Sequence, residues 1–371
     1  MIIKNIFLYS KNVLKEFIDL VKIFFELKKK KSFFILFFLS MVVIFFESYS
    51  LAIVYSLSNL MVDNNFDTSN YVLMWIADTF DISNFSPALI AIVSLLVFIF
   101  LKNIISLFII FYKTNFFIKL HYKISQKMFD SFISQDYQFF IDRNSSKLIA
   151  TFTEDIAICM RGFVAMFNIL VESLLILGIF AYLIYMDKTV ASIFFIGGSV
   201  FFVFHTFFTK KKMINLSNQR HILNSEIIKN LQQSFSSFRE LIIYGAQKIF
   251  LRSINNKFKK FFMNIKILNL LQETARILIE QVFIIFIMMA FFIMSYFLSK
   301  SLLEIIPIFA VYLFAFLRIL PSLNKLIIET QSYLYGKLFI KKTHLNLNLG
   351  NKKTKKIIDK NLFDQEINFK N

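Results

Sequence analysis

Four basic side chains stand in or beside long apolar stretches of the sequence, where a charge is costly. They are Lys102, Arg276, Arg318 and Lys325. A charge at bilayer depth costs at least about 2.5 kcal/mol, so such a residue usually faces a cavity or a partner. Arginine can donate two parallel hydrogen bonds to a phosphate or carboxylate. The four residues therefore predict a lumen that receives an anionic head group.

Neutralisation within the protein is the alternative for these cations, and two of them have an acid at helical spacing. Glu280 follows Arg276 by four residues, and Glu329 follows Lys325 by four. Side chains four residues apart are neighbours on a helix surface, so each pair could form an ion pair. Both interpretations stay open for Arg276 and Lys325.

Lys102 and Arg318 have no acid at that spacing, which favours the cavity interpretation for them. Glu47 and Glu172 also lie in apolar stretches and could neutralise them. Pro321 follows Arg318 by three residues. A proline inside a helix removes a backbone hydrogen bond and lets the helix bend. We therefore expect a bend in the wall of the path beside Arg318.

Other kinds of chemical site are not indicated by the sequence. His121, His205, His221 and His344 are far apart and lack the spacing of metal ligands. Cys159 is the only cysteine, which excludes a disulfide or a cysteine metal site within the chain. No nucleophile–base pair or carboxylate dyad stands out. We expect no catalytic residue and no metal site in the chain.

Membrane helices are the elements that must position the four cations. Of the 371 residues, 57% are hydrophobic, with 51 Phe but only 7 Gly and 3 Pro. A soluble domain could not bury so much apolar surface with so few turn residues. Runs long enough to cross a hydrocarbon core of about 30 Å predict an all-α polytopic membrane protein. The six predicted spans are 33–61, 87–112, 163–186, 189–209, 277–298 and 303–335.

Membrane orientation explains the formal net charge of +18. Segment 1–32, with a predicted interfacial helix, has eight Lys against three acids, and segment 210–275 has twelve basic residues against three acids. Loop 62–86 has four Asp and no basic residue. Since Lys and Arg mark the cytoplasmic side, we predict cytoplasmic termini and an external loop 62–86 in a bacterial inner membrane. No nucleic-acid partner is expected.

Two segments between the spans, 113–162 and 210–276, are long and contain no Pro. Their apolar residues recur at intervals of three and four, as in KLHYKISQKMFDSFISQ, which predicts helices. About 25 extra helical residues at 1.5 Å each would carry the spans roughly 37 Å beyond the membrane. These cytoplasmic arms imply a partner held at a distance from the bilayer.

Two stretches fall where the arms must bend, DYQFFIDRNSSKLIATFTEDI (136–156) and SFSSFRELIIYGAQKIFLRSINN (234–256). The first has an aromatic pair, a short polar turn and a Thr-x-Asp ending. Both resemble the intracellular bends of type I ATP-binding cassette exporters. The resemblance implies a coupling helix in each bend that docks on a nucleotide-binding domain. The bend residues are Tyr137, Phe139, Phe140, Asp142, Phe238, Arg239, Glu240 and Tyr244.

This resemblance covers nearly the whole chain and implies the transmembrane half of an ATP-driven exporter that works by alternating access. Because six spans form half of the usual pathway, it also implies a dimer, most simply a homodimer. The stretch LRILPSLNKL (317–326) is similar to the sixth span of the branch that flips lipid-linked oligosaccharides, which implies an anionic amphiphile as cargo. No G-x-x-x-x-G-K-[ST] loop occurs in the sequence, so ATP and Mg²⁺ are expected on a nucleotide-binding domain, fused or separate.

The expected organisation has four parts. They are an N-terminal helix at 1–32, a six-helix transmembrane domain with two coupling bends at 33–348, a linker at 349–362, and the first strand of a nucleotide-binding domain at 363–371.

Two other functions stay open, an ion-coupled secondary transporter and a non-transporting membrane scaffold. The former predicts inverted repeats and Gly- or Pro-broken helices near the midplane, whereas this chain has few Gly and long arms.

Overall fold

The computed structural model describes residues 30–62, 87–141, 143, 145–186, 188–292, 296 and 302–349. Predictions for segments 1–29, 63–86 and 350–371, and for Asp142, lie outside the described residues. The described part contains no strand. Its helices are α1 (Lys30–Val62), α2 (Pro87–Ile133), α3 (Tyr137–Ile141), α4 (Ser145–Ala150), α5 (Ile156–Met186), α6 (Lys188–Ser236), α7 (Phe238–Ile243), α8 (Gln247–Phe292) and α9 (Leu302–Leu349).

Six of these helices are long, and each contains one predicted span, except that α8 contains only residues 277–292 of the fifth; residues 293–295, 297 and 298 of that span lie outside the described residues. The prediction of helical arms is confirmed, because α2 continues to Ile133 and α6 to Ser236 without a break. The 47 residues of α2 and the 49 of α6 give each helix a length of about 70 Å. That is about twice the thickness of a hydrocarbon core of about 30 Å. No proline or glycine interrupts the arm portions of these helices, which explains their continuity.

Short helices form the two bends at the far ends of the arms. Helices α3 and α4, followed by a π-helical turn at Thr151–Asp155, connect α2 to α5. Helix α7 connects α6 to α8, and Gly245 follows it with a φ of +62°. A left-handed residue at this position is a common helix stop that glycine adopts without a Cβ clash. We call this end of the bundle the bend side and the opposite end the hairpin side.

Two large apolar cores, and a smaller one between α1 and α2, hold the described parts of the long helices together. Phe163 of α5 and Phe339 of α9 lie in the core nearer the bend side. Ile179 of α5 and Phe283 of α8 lie in the core nearer the hairpin side, where α9 also packs. The outer surface of α2 is different, because many of its large apolar side chains are exposed. Exposed apolar side chains on a helix of this length suit contact with lipid.

The backbones of α5 and α9 touch where they cross. A Cβ atom placed on Gly336 would lie 3.0 Å from the Cα atom of Gly162 and 3.2 Å from the carbonyl oxygen of Ile158. Small residues allow such close approach of membrane helices. The crossing fixes α9 against α5 and thereby sets which side chains of the two helices face each other.

Four stretches within the described residues are long and apolar enough to cross a membrane, judged by length and composition. They are Lys31–Ser58, Leu89–Ile133, Ser145–Met186 and Phe309–Leu347. Span 189–209 lies in α6, and residues 277–292 of the fifth predicted span lie in α8; the described residues of these two helices do not meet the same test. Helix α9 is continuous through Pro321, beside which the sequence predicts a bend.

Candidate functional site

One charge cluster lies between α1, α2 and α9 and contains two of the four predicted path residues. The Oε2 atom of Glu47 lies 2.9 Å from Nζ of Lys102. The Oε1 atom of Glu47 lies 3.2 Å from Nε of Arg318. Each of these residues lies near the middle of its predicted span, and we call Glu47, Lys102 and Arg318 the midspan cluster. The structure therefore brings Lys102 and Arg318 together through a shared carboxylate that the sequence proposed only as an alternative partner.

The midspan cluster holds an excess of positive charge. Two cations share one carboxylate, and Glu47 is only 5% exposed. Of the three nitrogens of the Arg318 guanidinium, Glu47 contacts Nε, and no hydrogen bond from either Nη reaches a described residue. The guanidinium carbon lies 5.2 Å from the centre of the Phe314 ring, a favourable arrangement for a cation. The cluster therefore offers hydrogen-bond donors to an additional anion.

A second cluster lies closer to the bend side, between α2, α5 and α9. Nζ of Lys325 lies 2.5 Å from Oε1 of Glu172. The side-chain amide of Asn168 donates to Oε1 of Glu329 at 2.6 Å, and its oxygen accepts from Nζ of Lys113 at 3.2 Å. We call these residues the five-residue cluster. Neutralisation of Lys325 thus uses an acid on another helix rather than Glu329, which the i,i+4 spacing had suggested.

Sequence reasoning missed Lys113 and Asn168, although the sequence contains a signal for both. Lys113 follows Lys102 by eleven residues, which returns it to the same face of α2 after three turns. Asn168 precedes Glu172 by four residues and therefore faces the same neighbour. A search for all polar residues on the faces that carry the predicted cations would have found them.

Arg276 stands apart from both clusters. Its Nε lies 3.0 Å from Oε1 of Glu280, the ion pair that the i,i+4 spacing suggested. The Arg276 side chain is 65% exposed in this single chain. An exposed pair of this kind contributes little to stability. Within the described part of the chain, no ion pair or hydrogen bond joins the Arg276 side chain to an acid or amide of either cluster.

The predicted bend residues lie on or beside the short helices at the bend side. On α3, Tyr137 and Phe140 are exposed, whereas Phe139 packs against Phe132 with 5.8 Å between ring centres. On and beside α7 the side chains are exposed, and these are Phe238, Arg239, Glu240 and Tyr244. The bends therefore present apolar and charged side chains outward, while Phe139 anchors α3 to the end of α2.

The bend side also has a charge cluster that the spacing of the histidines did not reveal. Nζ of Lys342 lies 2.7 Å from Oδ2 of Asp155 and 3.0 Å from Nε2 of His221. Nδ1 of His221 lies 3.3 Å from Oδ1 of Asp155. Asp155 is the last residue of the π-helical turn and is buried. Because the three residues lie on different elements, the cluster ties α6 and α9 to the first bend.

Comparison with known proteins places the fold in a family. Residues 33–322 match the family model described as the ABC transporter transmembrane region. The chain belongs to this family. The solved structure of a bacterial Atm1-family ABC exporter with ATP bound is similar in fold, with a TM-score of 0.61 and 10% sequence identity. The match covers 86% of this chain and 54% of that exporter, so the chain spans about half the length of that protein. No curated protein matches.

The family match and the similarity to the Atm1-family exporter structure confirm the predicted all-α fold of a type I exporter transmembrane domain. Together with the four apolar stretches described above, it makes the chain a multi-pass membrane protein. The match with the Atm1-family exporter concerns the fold. The similarity of the sixth span to the oligosaccharide-flipping branch stays a prediction.

Proposed function

We propose that this chain is the membrane half of an ATP-driven exporter that moves an anionic amphiphile across the membrane by alternating access. The observation that carries the proposal is the midspan cluster, in which Lys102 and Arg318 share the single carboxylate of Glu47. Burying charge in a membrane protein is costly, and such residues commonly mark a substrate pathway. Excess positive charge at this depth favours an anionic cargo.

The amphiphilic character of the cargo follows from the surroundings of the cluster. Apolar residues of the core nearer the hairpin side lie next to Arg318 along α9, and the Phe314 ring centre lies 5.2 Å from its guanidinium carbon. A head group with negative charge would bind the cations, while an apolar chain would stay in contact with the helices or with lipid. A lipid-linked sugar is one molecule with this character, and the sixth-span similarity favours it.

The two bends supply the means of coupling to ATP. A nucleotide-binding domain docking on the exposed residues of α3 and α7 would move the rigid arms, which continue directly into the spans. Rigid-body motion of packed helices is a common form of such switching. In this proposal the bends are cytoplasmic, ATP and Mg²⁺ bind the nucleotide-binding domain, and two copies of the chain form the pathway.

Stimulation of ATP hydrolysis by the cargo tests this proposal. The chain is purified with its nucleotide-binding domain, and the ATPase rate is measured with and without dihexanoylphosphatidylglycerol. We expect stimulation in the wild type and its loss in Arg318→Ala. Arg161→Ala is the matched control, because Arg161 is exposed on α5 outside both membrane clusters, and it should keep the stimulation. Equal stimulation of both variants would contradict the assignment of Arg318 to the path.

A further inference from the structure

The charge balance of the midspan cluster leads to a more specific inference about the ligand. We propose that the cluster accepts a ligand group with one negative charge, such as a phosphodiester or a carboxylate, and that Glu47 sets this limit. This inference rests on the proposed function, because it concerns the same site. It makes Glu47 a specificity-determining residue rather than only a structural ion-pair partner.

The first argument is the number of charges that must be balanced. Lys102 and Arg318 contribute two positive charges, and Glu47 contributes one negative charge. A ligand group with one negative charge brings the total to zero. A group with two negative charges leaves one in excess among buried side chains. An unbalanced charge in a low-dielectric site is strongly unfavourable, so the site should discriminate against the doubly charged group.

The second argument is that a singly charged group can bind without displacing Glu47. Glu47 uses one oxygen for each cation, and its contact with Arg318 is at Nε. Among the described residues no hydrogen bond reaches the Nη atoms, and Nζ of Lys102 carries two further protons. Guanidinium and ammonium donors of this kind bind phosphate or carboxylate oxygens with charge-assisted hydrogen bonds. The carboxylate and the ligand would then share the two cations from different sides.

The five-residue cluster provides the contrast that makes the argument specific. Its two lysines, Lys113 and Lys325, are balanced by Glu172 and Glu329. The total charge of that cluster is therefore zero, and its strongest donors are already used. An anion entering there would have to displace a carboxylate. The excess charge that can select a ligand lies in the midspan cluster.

Two short-chain lipids with the same tails but different head-group charge test this inference. Dihexanoylphosphatidylglycerol has one negative charge, whereas dihexanoylphosphatidic acid is mostly doubly charged at pH 8 because the second pKa of a phosphate monoester is about 6. Binding of each to the full chain in an uncharged detergent is measured by isothermal titration calorimetry. We expect the wild type to bind phosphatidylglycerol about tenfold more tightly or better, given the cost of an unbalanced charge at this depth.

Two variants locate the source of the preference. Glu47→Gln keeps the size of the side chain but removes its charge, so the excess rises to two positive charges, and the preference should disappear or reverse. Glu226→Gln is the matched control, because Glu226 pairs with Lys257 on the bend side at 3.2 Å with its side chain 46% exposed. It should leave the preference unchanged.

Each result has a distinct meaning. Equal wild-type affinities for the two lipids, or a preference that Glu47→Gln does not alter, would overturn the charge limit while leaving an anionic cargo in place. Binding of neither lipid would overturn both the limit and the proposed cargo. The wild-type comparison decides the question even where Glu47→Gln fails to fold. In that case Arg318→Lys, which keeps the charge, should weaken binding of both lipids and retain the preference.

Discussion

Replacement of Gly336 by alanine should separate α5 and α9, the two helices joined by the five-residue cluster. The added Cβ would lie 3.0 Å from Cα of Gly162 and 3.2 Å from the carbonyl oxygen of Ile158. Both neighbours are backbone atoms, so no side-chain rotation can relieve the contact. Overpacking of a well-packed interior costs about 1–3 kcal/mol. Helices α5 and α9 must therefore shift apart at this crossing.

Gly198→Ala is the matched control for this substitution. A Cβ on Gly198 would meet only the Cζ atom of Phe283, at an ordinary distance of 3.9 Å. Alanine also favours a helix over glycine by about 1 kcal/mol, and both variants gain that contribution. The difference between the variants therefore isolates the overpacking. We expect Gly336→Ala to be less stable than Gly198→Ala by about 1–3 kcal/mol.

Cys159 provides the assay for this comparison. It is the only cysteine of the sequence and is completely buried in α5. A fluorogenic maleimide reacts with it only after local or global unfolding, so fluorescence reports the unfolding temperature. Membrane proteins often unfold irreversibly, which requires one scan rate for all variants. Gly336→Ala should unfold several degrees below Gly198→Ala, and equal unfolding temperatures would refute the backbone contact between α5 and α9.

Three further predictions use the same preparation. Lys325→Met leaves the buried Glu172 carboxylate without its cation and should lower the free energy of unfolding by about 1–3 kcal/mol. Adding Glu172→Gln to Lys325→Met removes the unpaired charge and should restore much of the lost stability. Ser217→Ala removes the buried hydroxyl that donates to the carbonyl oxygen of Tyr335 at 2.6 Å and should cost about 1 kcal/mol. Ile243→Ser changes an exposed side chain of α7 and should leave the unfolding temperature unchanged while reducing copurification of the nucleotide-binding domain.

The outcomes that would contradict these predictions are specific. Wild-type stability of Lys325→Met would show that Glu172 finds another partner. An unchanged unfolding temperature for Ser217→Ala would show that the Ser217 hydroxyl does not help to hold α6 against α9. A large loss of stability in Ile243→Ser would mean that this side chain packs within the chain rather than forming a docking surface.

The helices and their arms could be predicted from the sequence because their signals are local. Apolar runs identify the spans, and the three-and-four periodicity of 113–162 and 210–276 identifies the arms. The ends of the membrane spans within these helices are harder to predict, since α2 and α6 continue smoothly from apolar to polar composition. Neither helix has a proline or glycine at the predicted boundary, and hydropathy alone does not end a helix.

The partners of the charged residues could be predicted only in part, because they depend on how helices rotate against each other. The Arg276–Glu280 pair forms as its spacing suggests, since both residues lie on one helix. Lys325 instead pairs with Glu172 on another helix. The contact between Gly162 and Gly336 sets the alignment of these helices. The two glycines are far apart in the sequence, so the sequence alone does not show that they touch. The rarity of glycine in this chain was the available signal.

Transport in proteoliposomes tests the central claim most directly. The chain and its nucleotide-binding domain are reconstituted with a fluorescent phosphatidylglycerol analogue, and the analogue accessible to a membrane-impermeant quencher is followed after ATP is added. The proposed function predicts ATP-dependent movement of this analogue, faster than that of a matched phosphatidylcholine analogue. Movement that does not depend on ATP, or equal rates for the two head groups, would contradict an ATP-driven exporter of anionic amphiphiles.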